Sequence, residues 1–377
     1  MSFALLEASA AGRQRPPVAV GVIGCGVISN VFMKTIAHSG VVRLKSCASA
    51  TGASAAVQAK KFDTAAVSVD ALLADPEIEV VLNLTPPNAH FDICRRALEA
   101  GKHVFSEKPL TPSLAEAREL ARIAAQRGLR IGCAPDTFLG SAHQCARRTI
   151  DAGTIGRIVG GTLTVASRGM EHWHPNPAWF YQRGGGPVLD VGIYPVTQLV
   201  NLLGPVERVI AFASRPSARR LISSQPLAGT HFDVEVPTTY NGALYFVSGA
   251  NVALTMSWDV WKHQRQPIEL YGEEGSLLNP DPNFFTGTVQ ISRRNGEWMP
   301  ADGQGEDAAL DNDFKPLGGP RGLGLIDLVL AVERGRVPRT DISLAIHVLE
   351  VLLAIEQSAV SGRALSIEST VERPAAL

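Results

Sequence analysis

The sequence predicts an α/β protein in two parts: a doubly wound parallel sheet, then an α/β domain on an open, mostly antiparallel sheet. Three observations carry this. Early in the chain, continuous apolar runs rich in β-branched residues alternate with helical stretches, as when strands are buried on both faces. Later runs alternate polar and apolar residues between short turns, as in a sheet with one covered face. The chain has 377 residues, 45% of them hydrophobic, which suits two domains better than one core. The expected division is a flexible extension over 1–17, a nucleotide-binding domain over 18–136 and a second domain over 137–377.

Val18 to Ile23 is the first apolar run and reads as a strand. Gly24 and Gly26 punctuate it, and a helix follows from about Val27 to His38. Arg43 to Ala48 reads as the next strand, and a small-residue helix leads to Lys61 and Phe62. Asp70 is the expected N-cap of a short helix through Leu72 and Leu73. Glu79 to Leu84 is a strand, broken at Thr85-Pro86-Pro87-Asn88 because proline cannot continue a central ladder. A helix from Ala89 to Ala100 ends at Gly101. His103 to Phe105 is a short strand running into Glu107-Lys108-Pro109. Thr111-Pro112 opens a helix to Gly128, and Leu129 to Cys133 is one more strand. Such a β-α-β series forms a parallel sheet whose ligands bind beyond the carboxyl ends of the strands. Gly24, Thr85, Lys108 and Asp136 all fall at such ends.

Beyond Asp136 the spacing predicts a helix over Ser141 to Ala152, a strand over Arg157 to Ser167 and an apolar helix ending at Leu203. Strands follow over Thr239 to Val247, Asn251 to Trp261, Ile268 to Tyr271 and Thr288 to Ser292. Pro300 to Gly324 reads as a long surface loop. Helices over Leu325 to Glu333 and Ile342 to Ser358 close the fold. A broad sheet of this kind needs its second face hidden, so self-association as a homodimer or homotetramer is expected.

The net charge is -1 and no basic block occurs, so nucleic acid and acidic membranes are poor partners. The five cysteines form no C-x-x-C pair and read as reduced thiols. Phe3 to Leu6 is too short for a signal-peptide core, and no apolar run reads as long enough to span a bilayer. A cytoplasmic location is the default expectation.

Gly24-x-Gly26-x-x-Ser29 approximates a dinucleotide fingerprint. Gly24 permits a tight turn, Gly26 lets the backbone approach a pyrophosphate, and the helix N-terminus offers free amides and a positive dipole end. Ser29 replaces the usual Gly or Ala. An acidic residue after the second strand would select NAD, but the segment is Cys47-Ala48-Ser49-Ala50-Thr51. NAD(P) is therefore expected, leaning to NADP, with Ser49 or Thr51 available for hydrogen bonds.

The chain resembles the glucose–fructose oxidoreductase, inositol dehydrogenase and rhizopine-catabolism (Gfo/Idh/MocA) family. The likeness rests on Gly21 to Gly26, on Thr85-Pro86-Pro87-Asn88-Ala89-His90, on Glu107-Lys108-Pro109 and on Gly184 to Tyr194. It implies a Rossmann domain followed by the open-sheet domain, and oxidation or reduction at a hydroxyl-bearing carbon of a sugar, cyclitol or polyol. It implies cofactor contacts at Gly24, Gly26, Val27, Ile28, Ser49, Thr85, Pro86, Asn88, His90, Glu107 and Lys108. Lys108 matches the family's catalytic lysine and Asp190 the aspartate of its D-x-G-x-H segment. Tyr194 stands where many members have histidine, a variant within the family.

Hydride chemistry belongs to the cofactor; the protein must place the substrate and manage a proton. Lys108 and Tyr194 are expected to face the reacting oxygen, with either as proton carrier, and Asp190 to orient substrate or hold the ammonium. Glu171-His172-Trp173-His174-Pro175-Asn176-Pro177 reads as a substrate loop, Trp173 stacking and His174 and Asn176 hydrogen-bonding, with Asp136 a further candidate at the domain junction. Two histidines without a third ligand do not predict a metal. The alternatives left open are an NAD-dependent glycosidase of the same family and a non-catalytic cofactor-binding sensor.

Overall fold

The computed structural model describes residues 15–294, 296–303 and 319–377. The expected N-terminal extension lies mostly outside these residues, as does 304–318 of the expected long loop.

Val18–Ile23 (β1) is buried at every position, as its unbroken apolar run requires. Val42–Ala48 (β2), Ala65–Ala66 (β3), Val80–Asn83 (β4), His103–Ser106 (β5) and Ile131–Cys133 (β6) complete a six-stranded sheet. Its order is β3-β2-β1-β4-β5-β6 and every pairing is parallel. This is a doubly wound Rossmann sheet, and the strand order reverses between β1 and β4. The crevice at that reversal opens beyond Ile23 and Asn83.

The helices flank the sheet with small departures from expectation. The helix Val69–Ala74 is capped by Ser68, whose hydroxyl accepts from Ala71 N at 3.1 Å. Asp70 sits in the first turn instead and pairs with Arg96. The helix after β4 starts at Pro87, because proline lacks the N–H that a first-turn residue leaves unpaired anyway. The helix expected to open at Thr111-Pro112 starts at Leu114 behind the cap Ser113.

The second part is a nine-stranded sheet: Ile158–Ala166 (β7), Val206–Ser214 (β8), Thr239–Phe246 (β11), Asn251–Ser257 (β12), Ile268–Gly272 (β13), Gly275–Asn279 (β14), Gln290–Arg293 (β15), Met299–Pro300 (β16) and Leu365–Ser366 (β17). Arg219–Leu221 (β9) and His231–Asp233 (β10) form a separate ribbon. The order is β16-β15-β14-β13-β7-β12-β11-β8-β17, antiparallel except for β7 against β12. The sheet is therefore mixed, and β8 and β14 are strands that the sequence reading did not separate out.

Helix Ile342–Ser361 packs on β8 and against helices Ile193–Leu203 and Leu114–Arg127, joining the two sheets. It corrects one expectation. At 20 residues and a mean hydropathy of 1.5 it is long and apolar enough to cross a membrane by length and composition. Its apolar character is explained by its place in the core, where Val351, Leu352 and Ile355 are fully buried. Among the described residues the opposite face of the sheet is bare: Phe212 is 65% exposed, and Ile210 and Tyr271 are each 37% exposed.

Candidate active site

Gly24 ends β1 with φ +103°, a conformation that L side chains rarely adopt. A Cβ there would lie 2.4 Å from the Leu84 carbonyl carbon, so the turn and the close approach of the two strand ends both demand glycine. Gly26 differs: a Cβ there meets no atom of the described residues within 4 Å. The helix Ser29–Ala37 starts at that open spot without a side-chain cap. Ser29 turns its hydroxyl back to Gly26 O at 2.6 Å. The Ser29, Asn30 and Val31 amides donate back to Gly26, Val27 and Ile28 carbonyls at 3.1, 3.4 and 3.2 Å, so it is the positive dipole end and the backbone of the turn, open to approach, that fit a dinucleotide pyrophosphate.

The other cofactor candidates sort by exposure. Val27 is 94% exposed at the turn, whereas Ile28 packs partly on the core. Pro86 and Asn88 are exposed at the end of β4. Thr85 turns its hydroxyl to Asn83 Oδ1 at 2.7 Å. Ser49 is occupied with local structure, its hydroxyl accepting from Ala55 N at 3.1 Å. His90 departs from expectation, for it is fully buried. Its ring spans the loops after β4 and β5, 2.7 Å from Thr85 O and 2.6 Å from Pro109 O. Burial pulls the imidazole's pKa down, against the two carbonyls, which favour the cation. His90 clasps the two loops and presents no surface to a ligand.

Glu107 accepts the Lys108 backbone N–H at 2.9 Å. The Lys108 side chain is only 16% exposed and reaches across to the second domain. Its ammonium donates to the Asp190 carbonyl at 2.9 Å and to Asp190 Oδ1 at 3.1 Å. It also lies 5.3 Å from the centroid of the Tyr194 ring. Burial pulls the ammonium's pKa down, but the charges of Asp190, Tyr194 and Glu107 outweigh it and raise the pKa above the ordinary lysine value. Lys108 is thus a cation at neutral pH. The structure brings Lys108, Asp190 and Tyr194 into one cluster. Asp190 ends the short helix Gly186–Asp190 and Tyr194 lies in the first turn of Ile193–Leu203, which sets both at the same corner.

A cavity of about 440 Å³ opens beside Tyr194, walled by Arg168, His172, Trp173, His263 and Asp281 among others. That volume suits a small polar molecule. Trp173 is 64% exposed there. His174 and Asn176 are not on this wall; His174 Nδ1 accepts the Asn176 N–H at 3.1 Å, and its ring packs edge-on to Phe180. Among the described residues no group of His, Cys, Asp or Glu could hold a metal ion.

Asp136 takes a role other than the expected pocket contact. It is wholly buried, and its Oδ2 accepts the N–H groups of Gly322 and Gly324 at 2.8 and 2.9 Å. It therefore caps the helix Leu323–Glu333 and fixes the segment carrying Arg321. Burial raises the Asp136 pKa, partly offset by those amides and by Arg321. The sequence reading missed Arg321, a buried guanidinium 5.4 Å from the centroid of the Tyr194 ring. It also donates to Asn283 O and Oδ1 at 3.2 and 3.0 Å. Tyr194 thus lies beside two cations. Nothing local announces Arg321, since its place depends on contacts from Asp136 and Asn283 far away in sequence.

A nucleotide crevice whose edge carries a buried ammonium, completed from a second sheet domain, is the arrangement of a nicotinamide-dependent oxidoreductase. Residues 18–134 match the oxidoreductase family with the NAD-binding Rossmann fold, and residues 143–278 match the GFO/IDH/MocA C-terminal domain. The chain belongs to the Gfo/Idh/MocA oxidoreductase family. It is 31% identical over 265 residues, 68% of this chain and 71% of the relative, to dTDP-3,4-didehydro-2,6-dideoxy-alpha-D-glucose 3-reductase of Streptomyces violaceoruber. It is 27% identical over 324 residues, 84% and 89% of the two chains, to D-xylose 1-dehydrogenase (NADP(+)) 2 of Haloferax volcanii. Levoglucosan dehydrogenase in complex with NADH and L-sorbose shares the fold, with a TM-score of 0.78 at 20% identity, covering 94% of this chain and all of that one.

Proposed function

We propose that this oxidoreductase interconverts a carbonyl and a hydroxyl-bearing carbon on a sugar, cyclitol or related polyol. The observation carrying this is the ammonium of Lys108, shielded from solvent and held by Asp190 against Tyr194, the residue that walls the cavity. The sugar-directed names of the relatives support the substrate class.

The turn at Gly24 and Gly26, with the exposed edge at Val27, Pro86 and Asn88, would hold the cofactor. When bound, the nicotinamide supplies two-electron hydride chemistry. Lys108 is protonated, so it acts as donor: it polarises the substrate carbonyl and delivers a proton to that oxygen as the carbon accepts a hydride. Asp190 keeps the amine charged and aimed, and bulk solvent restores the proton. Tyr194 orients the same oxygen through its hydroxyl. No carboxylate follows β2, so nothing there repels a 2′-phosphate, which favours NADP. The bare sheet face around Phe212 and Ile210 is proposed as the contact between copies of the chain.

The test is a panel of keto-sugars, polyols and aldoses assayed with NAD(H) and NADP(H) separately, following absorbance of the reduced nicotinamide. Cofactor-dependent conversion of at least one compound is expected. Cofactor binding with no conversion and no net absorbance change across the panel would contradict it.

A further inference from the structure

Beside the cavity at Tyr194 lies a second one, of about 360 Å³, in the outer domain. Arg168, His172 and Trp258 wall both, so the two are adjacent. The sequence drew attention to Glu171 and His172, within the expected substrate loop, but to none of the second cavity's other walls.

Those walls combine a flat aromatic surface with anchored polar groups. Trp261 is 76% exposed. The Arg168 guanidinium lies 4.2 Å from its ring centroid and covers one face. His172, with its centroid 6.0 Å away, braces the indole further. The indole is thereby held in place while most of its surface stays bare. Across the cavity, Arg220 is clamped between two carboxylates. It donates to Glu171 Oε1 at 2.7 Å and to the Trp258 carbonyl at 3.0 Å, and it pairs with Asp259. Thr238 and Thr239 hydroxyls fix Asp259 at 2.7 and 2.5 Å, and the Tyr181 hydroxyl fixes Glu171. Arg168 has no carboxylate partner among the described residues.

A pyranose ring carries an apolar C–H face and a rim of hydroxyls. The C–H face suits the negative face of an indole, and carboxylates with spare lone pairs and fixed guanidinium groups suit the rim. Because such polar groups are already oriented, a ring binding them orders little. We infer that this second cavity is a carbohydrate subsite, so that the substrate is a disaccharide or larger glycoside. One ring occupies the cavity at Tyr194 and the next lies on Trp261. This rests on the sugar-directed reading of the first cavity and adds the class of substrate to it.

The test is titration calorimetry on the full chain saturated with NADP. Cellobiose, maltose, lactose and trehalose are each compared with their constituent monosaccharides. At least one disaccharide is expected to bind about tenfold more tightly than its monosaccharides, the upper range for one aromatic contact. Trp261→Ala, at an exposed position outside the core, removes that gain and leaves monosaccharide affinity within about twofold. Ser217→Trp, which fills the cavity from its exposed rim, does the same. The inference is overturned if no disaccharide binds more tightly, or if both variants keep the full gain. Failure of the underlying redox reading would show separately, as absent binding of both NADP and NAD or absent conversion of any sugar.

Discussion

Replacing Gly24 and Gly26 by alanine separates folding from cofactor binding within one turn. At Gly24 the new methyl is forced into φ +103° and within 2.4 to 2.6 Å of Leu84 C, Leu84 O and Thr85 N. The backbone conformation costs about 1–2 kcal/mol for an L residue. Crowding against backbone, which cannot rotate away, adds about 1–3 kcal/mol. Gly24→Ala should therefore lose about 2–5 kcal/mol of stability in urea unfolding of the cofactor-free protein. At Gly26 the methyl meets no atom of the described residues, so Gly26→Ala should stay within about 0.5 kcal/mol of the parent. The same methyl occupies the space a pyrophosphate needs to reach the backbone of the turn. Losing one charge-assisted hydrogen bond of about 1.5–3 kcal/mol weakens binding roughly 10- to 100-fold. Quenching of tryptophan fluorescence by NADP measures it. Wild-type affinity in Gly26→Ala, or equal destabilisation by both substitutions, would refute this account of the turn.

Three further outcomes are expected. Lys108→Met should lower turnover by about 10²- to 10⁴-fold while cofactor affinity stays near the parent value, read by steady-state kinetics and the same quenching titration. Glu356 lies under the sheet, and burial raises its pKa from 4.5 to about 7. A raised carboxyl pKa means stability falls as pH climbs from about 4.5 to about 7 and then levels off, by about 3 kcal/mol. Glu356→Gln should thus match the parent near pH 4 and exceed it near pH 8 in urea unfolding; equal curves at both pH values would exclude a raised pKa. Phe212→Glu, on the bare sheet face, should shift sedimentation velocity toward a smaller species with unchanged thermal unfolding of the monomer.

How far the fold was legible follows from how local each signal is. β1 could be read directly, since six buried apolar residues in a row have few alternatives. β8 was missed because Ile210 and Phe212 point to the bare face, which blurs the alternation that marks a half-covered strand. The cap of Val69–Ala74 was shifted by two residues because Ser68 and Asp70 are both good caps and only backbone geometry decides between them. At the site, Gly24 carries its own explanation, Lys108 was marked by its place at a strand's carboxyl end as well as by the family triplet, and Asp190 and Tyr194 were found through the family segments rather than through spacing. Their convergence spans 82 residues from Lys108 to Asp190 and depends on the packing of two sheets. His90 stood in a family segment and Asp136 at the domain junction, yet both are consumed in positioning other segments. Arg321 and Trp261 had no local mark at all, because their roles come from Asn283, Asp136, Arg168 and His172.

The most direct test of the central claim is a crystal structure of the full chain with NADP. The account predicts the pyrophosphate on the turn at Gly24 and Gly26, and the pyridine ring in contact with the Lys108 amine on the side facing Tyr194. A ring bound elsewhere, with the Lys108–Asp190 pair walled off from it by protein, would contradict the assignment of that ammonium to the chemistry.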